Sequence, residues 1–214
     1  LAATVTEQGR VGLGGEVPLI LKLSGKPAIA ISGVGTAPKL ATIDYYRKRA
    51  PEPWEDPRRL PPIPGQGLRA AILPGLFDGI LLALSDYGTK SYCEIAQPSI
   101  ELATAFPIPD EYALFIRNLE RMIRLWPDSR AFFLPNDRAP LKGEIFRSPT
   151  LARTLSALCD VEKKARGDRR RKIQAVRDEF YRGAIAKKLA AFSEANGGLI
   201  RYEDLAGFKA ETDP

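Results

Sequence analysis

Val17-Pro18-Leu19-Ile20-Leu21-Lys22-Leu23, Ser24-Gly25-Lys26-Pro27 and Ala28-Ile29-Ala30-Ile31-Ser32 follow one another near the start of the chain. Two short apolar runs flank a cluster of turn-forming residues, which predicts two strands joined as a hairpin. Pro18 sits near the beginning of the first strand, where a missing N–H does least harm. Upstream, Gly9, Gly12, Gly14 and Gly15 crowd into Leu1 to Glu16 and predict a loop rather than a helix. These glycines precede a strand, and no Lys-Ser/Thr pair follows them. A phosphate cradle needs the order strand, glycines, helix, so that reading is set aside.

Downstream the pattern turns helical. Thr42 to Arg49 predicts one or two helical turns. Ala50 to Gln66 holds Pro51, Pro53, Pro57, Pro61, Pro62 and Pro64, a density that favours extended geometry, with Trp54 and Leu60 pinning the loop to a surface. Leu76, Phe77, Ile80, Leu81 and Leu84 recur at helical spacing. Gln97-Pro98 predicts a helix start with Pro98 at the first position and Ile100, Leu102 and Ala103 following. Asp110 predicts the cap of a long helix with Tyr112, Phe115, Leu119, Met122 or Ile123, and Trp126 inward, ended by Pro127. Ser148-Pro149 opens another, with Leu151, Leu155 and Leu158 inward. Phe180-Tyr181 and Ile185 to Ala190 precede a stop at Gly197-Gly198. Leu199-Ile200 reads as a short extended piece and Tyr202 to Leu205 as a last turn. The fold class is therefore α+β and mostly helical: a β-hairpin or small sheet followed by about six helices. It divides into a Gly-rich lead-in with the hairpin (1–49), a proline-rich loop (50–66) and a helical region (67–214), one structural unit overall.

Composition narrows the chemistry. The 214 residues contain no histidine, which removes histidine-based nucleophile activation, histidine general bases and HExxH zinc sites. Cys93 and Cys159 lie too far apart for a zinc motif, and each reads as a small core residue. The net charge is +6, from 32 Lys+Arg against 26 Asp+Glu. Much of the excess lies between Asp160 and Lys172, where seven basic residues face three acidic ones. No aromatic residue interleaves with them, so they read as a solvated loop between two helices rather than a nucleic-acid surface. Glu203-Asp204 and Asp178-Glu179 are sequence neighbours, which point apart on a helix and make no acid–base dyad; the first pair suits a helix's first turn. The longest apolar run, Gly79 to Leu84, is too short for a membrane span.

Several segments in order resemble the large subunit of the gamma-glutamyltransferase (gamma-glutamyltranspeptidase) family of N-terminal-nucleophile hydrolases. They are Gly12-Leu13-Gly14-Gly15, Thr36-Ala37-Pro38 with Ala41-Thr42, and Pro74-Gly75 with Asp78-Gly79 and Tyr87-Gly88-Thr89. Next come Gln97-Pro98-Ser99-Ile100-Glu101-Leu102-Ala103, Leu151-Ala152-Arg153-Thr154-Leu155, and Phe180-Tyr181-Arg182-Gly183-Ala184-Ile185-Ala186. The last is Gly197-Gly198-Leu199-Ile200 with Glu203-Asp204-Leu205.

The resemblance implies a precursor that cuts itself, exposing a threonine at the head of a small catalytic subunit. That threonine's own amino group would be the base, a chemistry compatible with a histidine-free chain. It implies transfer or hydrolysis of gamma-glutamyl amides such as glutathione, with no metal or organic cofactor. This chain would be the central part of a large subunit, part of a four-layer αββα sandwich, and inactive alone. Its partners would be its own small subunit and a small-molecule amide, with no nucleic acid and no membrane span. No signal peptide is visible, and a start at Leu1 reads as processed, truncated or cut from a longer chain, so cytoplasm and periplasm both stay open.

One departure bears on substrate. The family's Arg-Glu-Met-Ala-Pro-like segment carries an arginine that pairs with the donor's α-carboxylate. Aligning on Thr36-Ala37-Pro38 puts Val34 there; a rival alignment on Arg47-Lys48-Arg49-Ala50-Pro51 puts Arg47 there but loses Ala41-Thr42. With Val34 the glutamyl anchor is missing, and an amidohydrolase or acylase of other specificity fits. A homologue that lost self-cleavage and serves as a scaffold is the remaining alternative.

Overall fold

A computed structural model describes residues 1–56, 58 and 63–213, the Asp213 side chain excepted. Leu60, Pro57, Pro61 and Pro62 of the proline-rich loop lie outside the described residues. In chain order the first elements are α1 (Ala3–Thr6), β1 (Val17–Lys22), β2 (Ala28–Gly33), α2 (Ile43–Lys48) and α3 (Leu76–Tyr87). Then come α4 (Tyr92–Thr104), β3 (Phe106–Pro107), α5 (Asp110–Asn118), α6 (Glu120–Ile123), α7 (Pro127–Phe133) and β4 (Ile145–Phe146). The last are α8 (Pro149–Lys164), α9 (Arg169–Tyr181), α10 (Ala184–Ala195), α11 (Tyr202–Gly207) and β5 (Glu211–Asp213). The chain is α+β and mostly helical, as its sequence predicts, with more and shorter helical segments than the six expected.

Contacts divide the chain elsewhere than at residues 49 and 66. One compact unit comprises 1–12 and 90–160, the other 13–89 and 161–214.

In the first unit, Val5, Phe106, Ile108, Tyr112, Ile116 and Phe146 are core residues. The Phe146 ring meets Phe106 and Tyr112 at 5.9 Å and Phe132 at 5.4 Å between centroids, the offset and edge geometry that aromatic quadrupoles favour. The buried Tyr112 hydroxyl is satisfied by donating to the Gln8 carbonyl (2.8 Å). β3 and β4 pair antiparallel; strands of two residues carry no readable alternation, so the sequence does not announce them.

Three helix expectations are corrected here, as is the purely looped reading of the lead-in, which holds α1. α4 starts at Tyr92, not near Pro98. Ser91 and Glu94 form a reciprocal capping box, each side chain accepting from the other's backbone N–H (3.1 and 2.8 Å). Pro98 is interior to the helix, where it withholds a donor from the Glu94 carbonyl. The single helix expected from Asp110 to Trp126 is two. Pro109 is the N-cap of α5, and Leu119 leaves helical geometry with its N–H shared between the Phe115 and Ile116 carbonyls. Pro127 begins α7 rather than ending a helix, because the first helical position needs no N–H.

In the second unit β1, β2 and β5 form an antiparallel sheet in that order. β1 and β2 are the predicted hairpin; β5, three residues long, is an addition. Register places Val17 opposite Gly33, Leu19 opposite Ile31 and Leu21 opposite Ile29 on the face that α3 covers. Pro18, Ile20, Ala28, Ala30 and Ser32 lie on the other face, with Ile20 81% exposed. α9 packs on α3, where Phe77 and Phe180 meet at 4.5 Å. The loop expected between two helices is confined to residues 165–168, and the rest of the basic run is helical: Lys163 and Lys164 end α8, Asp168 caps α9 through the Arg171 N–H (2.9 Å), and Arg169 donates to the Leu84 and Ser85 carbonyls at the end of α3. Cys159 is buried on α8 and Cys93 half-buried on α4.

Candidate functional site

Four of the segments singled out in the sequence, those holding Gly15, Thr36, Pro74-Gly75 and Tyr181, converge on the exit of β2, whereas residues 97–103 and 151–155 belong to the other unit. Gly33 to Thr36 crosses over Leu73-Pro74-Gly75, the turn that leads into α3. The approach is so close that a Cβ on Gly35 would fall on the Leu73 carbonyl oxygen, and one on Gly75 on the Gly33 carbonyl oxygen. Gly79, one turn into α3, would bring a Cβ to 2.9 Å from the Gly33 Cα. Glycine is required here for lack of a side chain, not for backbone sign. The Leu73 N–H donates to the Thr36 carbonyl (2.9 Å). The Gly-rich lead-in joins from below: the Gly15 carbonyl accepts from Gly75 and Leu76 (3.0 and 2.8 Å), and Glu16 Oε1 accepts from the Gly35 N–H (3.0 Å).

Val34 is the one side chain beyond hydrogen that residues 33–35 carry, and it is 42% exposed. Arg47 lies elsewhere, exposed in the last turn of α2. Thr42 caps that helix by accepting from the Tyr45 N–H (3.1 Å). Beside α2 lies a groove of about 590 Å³ lined by Leu40, Tyr45, Leu199, Lys48 and Arg201 among others; neither Val34 nor Arg47 lines it.

Asp204 ties two further segments together. Its carboxylate accepts from the Lys39 N–H (3.1 Å) and the Arg201 N–H (2.9 Å). It is a buried clamp in the first turn of α11, not half of an acid–base pair. Asp178 and Glu179 are likewise engaged, with Arg182 and with the Ala184 N–H.

Under the β2 exit lies a buried polar network that the sequence does not reveal. Asp78, 2% exposed, takes two hydrogen bonds from the Arg177 guanidinium (2.5 and 2.9 Å) and one from the Ala210 N–H (2.7 Å). Arg177 also donates to the Phe208 carbonyl (2.5 Å). Burial is the largest single effect and works against the guanidinium's charge, but the Asp78 hydrogen bond, the Asp78 charge and the smaller contributions of Tyr181 and Asp178 together outweigh it and hold the Arg177 pKa above its ordinary value. The Tyr181 hydroxyl donates to the Pro74 carbonyl (2.5 Å) and accepts from the Asp78 N–H (3.1 Å). Burial first, and the Asp78 charge second, push the Tyr181 phenol far up, so it remains a donor throughout the working pH range. The sequence signal was an acid on the inward stripe of α3 and a base on that of α9; only the fold pairs them. Among the described residues no cluster of His, Cys, Asp or Glu is placed to hold a metal ion. No helix among them is long and apolar enough to cross a membrane.

The sequence model described as gamma-glutamyltranspeptidase matches residues 1–214. The chain belongs to the gamma-glutamyltranspeptidase family. It is 30% identical over 212 residues to the glutathione hydrolase proenzyme of Escherichia coli (strain K12), covering 98% of this chain and 33% of that protein. It is 27% identical over 213 residues to the acylase ACY 1 proenzyme of Pseudomonas sp. (strain SE83), covering 98% and 35%. The structure is similar to cephalosporin acylase from Bacillus halodurans, with a TM-score of 0.80 at 26% identity over 99% of this chain and 36% of that one. The chain thus spans about a third of the length of the curated relatives it matches, and both of these are named as proenzymes.

Proposed function

We propose that the protein to which this chain belongs hydrolyses or transfers gamma-glutamyl amides such as glutathione, through a threonine nucleophile located outside residues 1–214. The observation that carries this reading is the family match along the whole chain. The threonine hydroxyl adds to the amide carbonyl and gives its proton to the threonine's own amino group. That proton passes to the departing amine, and water or an amino acid then releases the acyl group. Backbone N–H donors of the catalytic subunit hold the oxyanion. This chain contributes the pocket wall and is inactive alone. Its partner is its own small catalytic subunit, a reading supported by Ile20, 81% exposed beside Pro18 and Ala30 on the sheet face opposite α3, a face that also carries Lys22 and Ser32. A second sheet at about 10 Å over that face would form the inner pair of an αββα sandwich.

The test is the intact mass and N-terminus of every polypeptide made from the full-length gene. A second chain beginning with threonine supports the reading. A single uncleaved chain under native conditions sinks it and leaves the scaffold homologue.

The exposed Val34 at the β2 exit favours a second reading, an amidohydrolase or acylase with a non-glutamyl substrate. A valine there offers a donor carboxylate no charge and no hydrogen bond, whereas Arg47 lies on a separate helix. The discriminating assay compares a gamma-glutamyl anilide with an anilide of an uncharged acyl group. Val34→Arg should raise selectivity for the gamma-glutamyl compound by about tenfold or more, the worth of one charged hydrogen bond. Unchanged selectivity removes position 34 from the acyl subsite.

A further inference from the structure

We infer that Tyr181 is a positioning residue for the substrate-facing wall: its hydroxyl fixes the Pro74-Gly75 turn on which the Gly33–Thr36 segment rests. The inference rests on the proposed function in taking that segment as part of the acyl subsite.

α3 has no side-chain N-cap; Gly75 occupies that position. Its early N–H groups therefore need partners from elsewhere. The Gly15 carbonyl serves Leu76, and the Tyr181 hydroxyl serves Asp78. The same hydroxyl holds the Pro74 carbonyl (2.5 Å). One oxygen thus spans both sides of the turn, donating to the residue before Gly75 and accepting from the third residue of the helix. Tyr181 is itself immobilised. Its ring is fully buried, lies under the Arg177 guanidinium at 5.1 Å, and stacks on Phe208 at 5.6 Å. Above the turn, Gly33, Gly35 and Gly75 are in backbone-to-backbone contact, so no flexible side chain absorbs a displacement of the turn. A shift at Pro74 passes directly to Val34.

Phenylalanine at 181 keeps the ring and removes both hydrogen bonds. In the full-length, processed protein Tyr181→Phe should raise KM for the preferred anilide about tenfold, with kcat within about twofold, and change the selectivity between acyl groups. Hydrogen exchange should quicken in peptides covering Gly33–Thr36 and Leu73–Asp78, but not in those covering α10. Tyr202→Phe is the control. It also removes a tyrosine hydroxyl hydrogen bond in the same unit, the exposed one to the Arg182 carbonyl (2.9 Å), away from the turn. Unchanged KM, selectivity and exchange in Tyr181→Phe would overturn the inference, as would equal effects from Tyr202→Phe. Should the unmutated protein cleave no amide, the functional reading fails separately. Faster exchange at Leu73–Asp78 in Tyr181→Phe would still support the positioning role, and unchanged exchange would overturn it.

Discussion

Replacing Arg177 with methionine puts the buried network to its hardest test. The substitution keeps most of the side chain's length and removes three hydrogen bonds, two to Asp78 and one to the Phe208 carbonyl. Asp78 stays buried with the Ala210 N–H as its remaining carboxylate partner. A carboxylate stripped of its counter-charge in such a site costs about 3–5 kcal/mol. The appropriate assay is native-state hydrogen exchange in the full-length protein, because it reads the opening free energy of α3 and α9 locally. Amides of both helices should lose about 3–5 kcal/mol of protection. The double variant Asp78→Asn/Arg177→Met removes the stranded charge and should recover a large part of the loss, a coupling of more than about 1 kcal/mol. The part of the penalty that belongs to Arg177 itself should not vary through neutral pH. Arg177 is a base whose pKa is raised on folding, so its contribution is complete below the unfolded value and fades only as pH climbs through the folded one, far into alkali. A loss below about 1 kcal/mol, or no coupling to Asp78, would refute the assignment of this pair as the joint between α3, α9 and the Phe208–Ala210 segment.

Three further outcomes follow from local chemistry. The Arg138 side chain and then the Leu141 N–H hold the Glu144 carboxyl at about 2; Arg138→Ala should return it toward 4.5 in an NMR titration. As an acid depressed on folding, Glu144 stabilises the fold above its unfolded pKa, and that contribution is lost as pH falls from about 4.5 through about 2. Ser91→Ala removes half of the α4 capping box and should cost about 1 kcal/mol, read as faster exchange in the first turn of α4. Pro98→Ala should raise the melting temperature, because it restores a donor for the Glu94 carbonyl in a helix interior where proline costs about 3 kcal/mol; a lowered melting temperature would show that the helix needs its proline for packing.

The hairpin was legible because everything that specifies it is local. Two apolar runs and Ser24 to Pro27 between them fix both strands and the register that pairs Leu19 with Ile31. α3 was legible for the same reason. Where the reading failed, two local rules competed and the stronger could not be ranked in advance. At α4, Pro98 announced a first position, but the box formed by Ser91 and Glu94 captured the start six residues earlier. At Trp126-Pro127 the same residue type marks either a stop or a first position, and α7 uses the second option. In the basic run from Lys163 to Lys172 only residues 165–168 are loop, and Arg169 closes the end of α3, a contact at least 84 positions away that local charge does not announce. Asp78 and Arg177 lie 99 positions apart, so no window of sequence contains the pair.

The site itself was legible as a set of segments and not as a place. Nothing in Gly15, Thr36, Pro74 or Tyr181 says that they meet; the hydrogen bonds of the β2 exit bring them together. That construction has a consequence for position 34. The backbone on either side is fixed by glycines that tolerate no side chain, by Glu16 on the Gly35 N–H and by Leu73 on the Thr36 carbonyl. The residue between them carries none of this burden. Its side chain is 42% exposed. Exchanging arginine and valine there should shift stability by no more than about 0.5 kcal/mol, the usual range for an exposed position. It would also add or remove a full positive charge at the β2 exit. Under the proposed role of position 34 in the acyl subsite, such a scaffold would change which acyl group it prefers without relearning how to fold, whereas a side chain at Gly33 or Gly35 would break the crossing of residues 33–36 over 73–75.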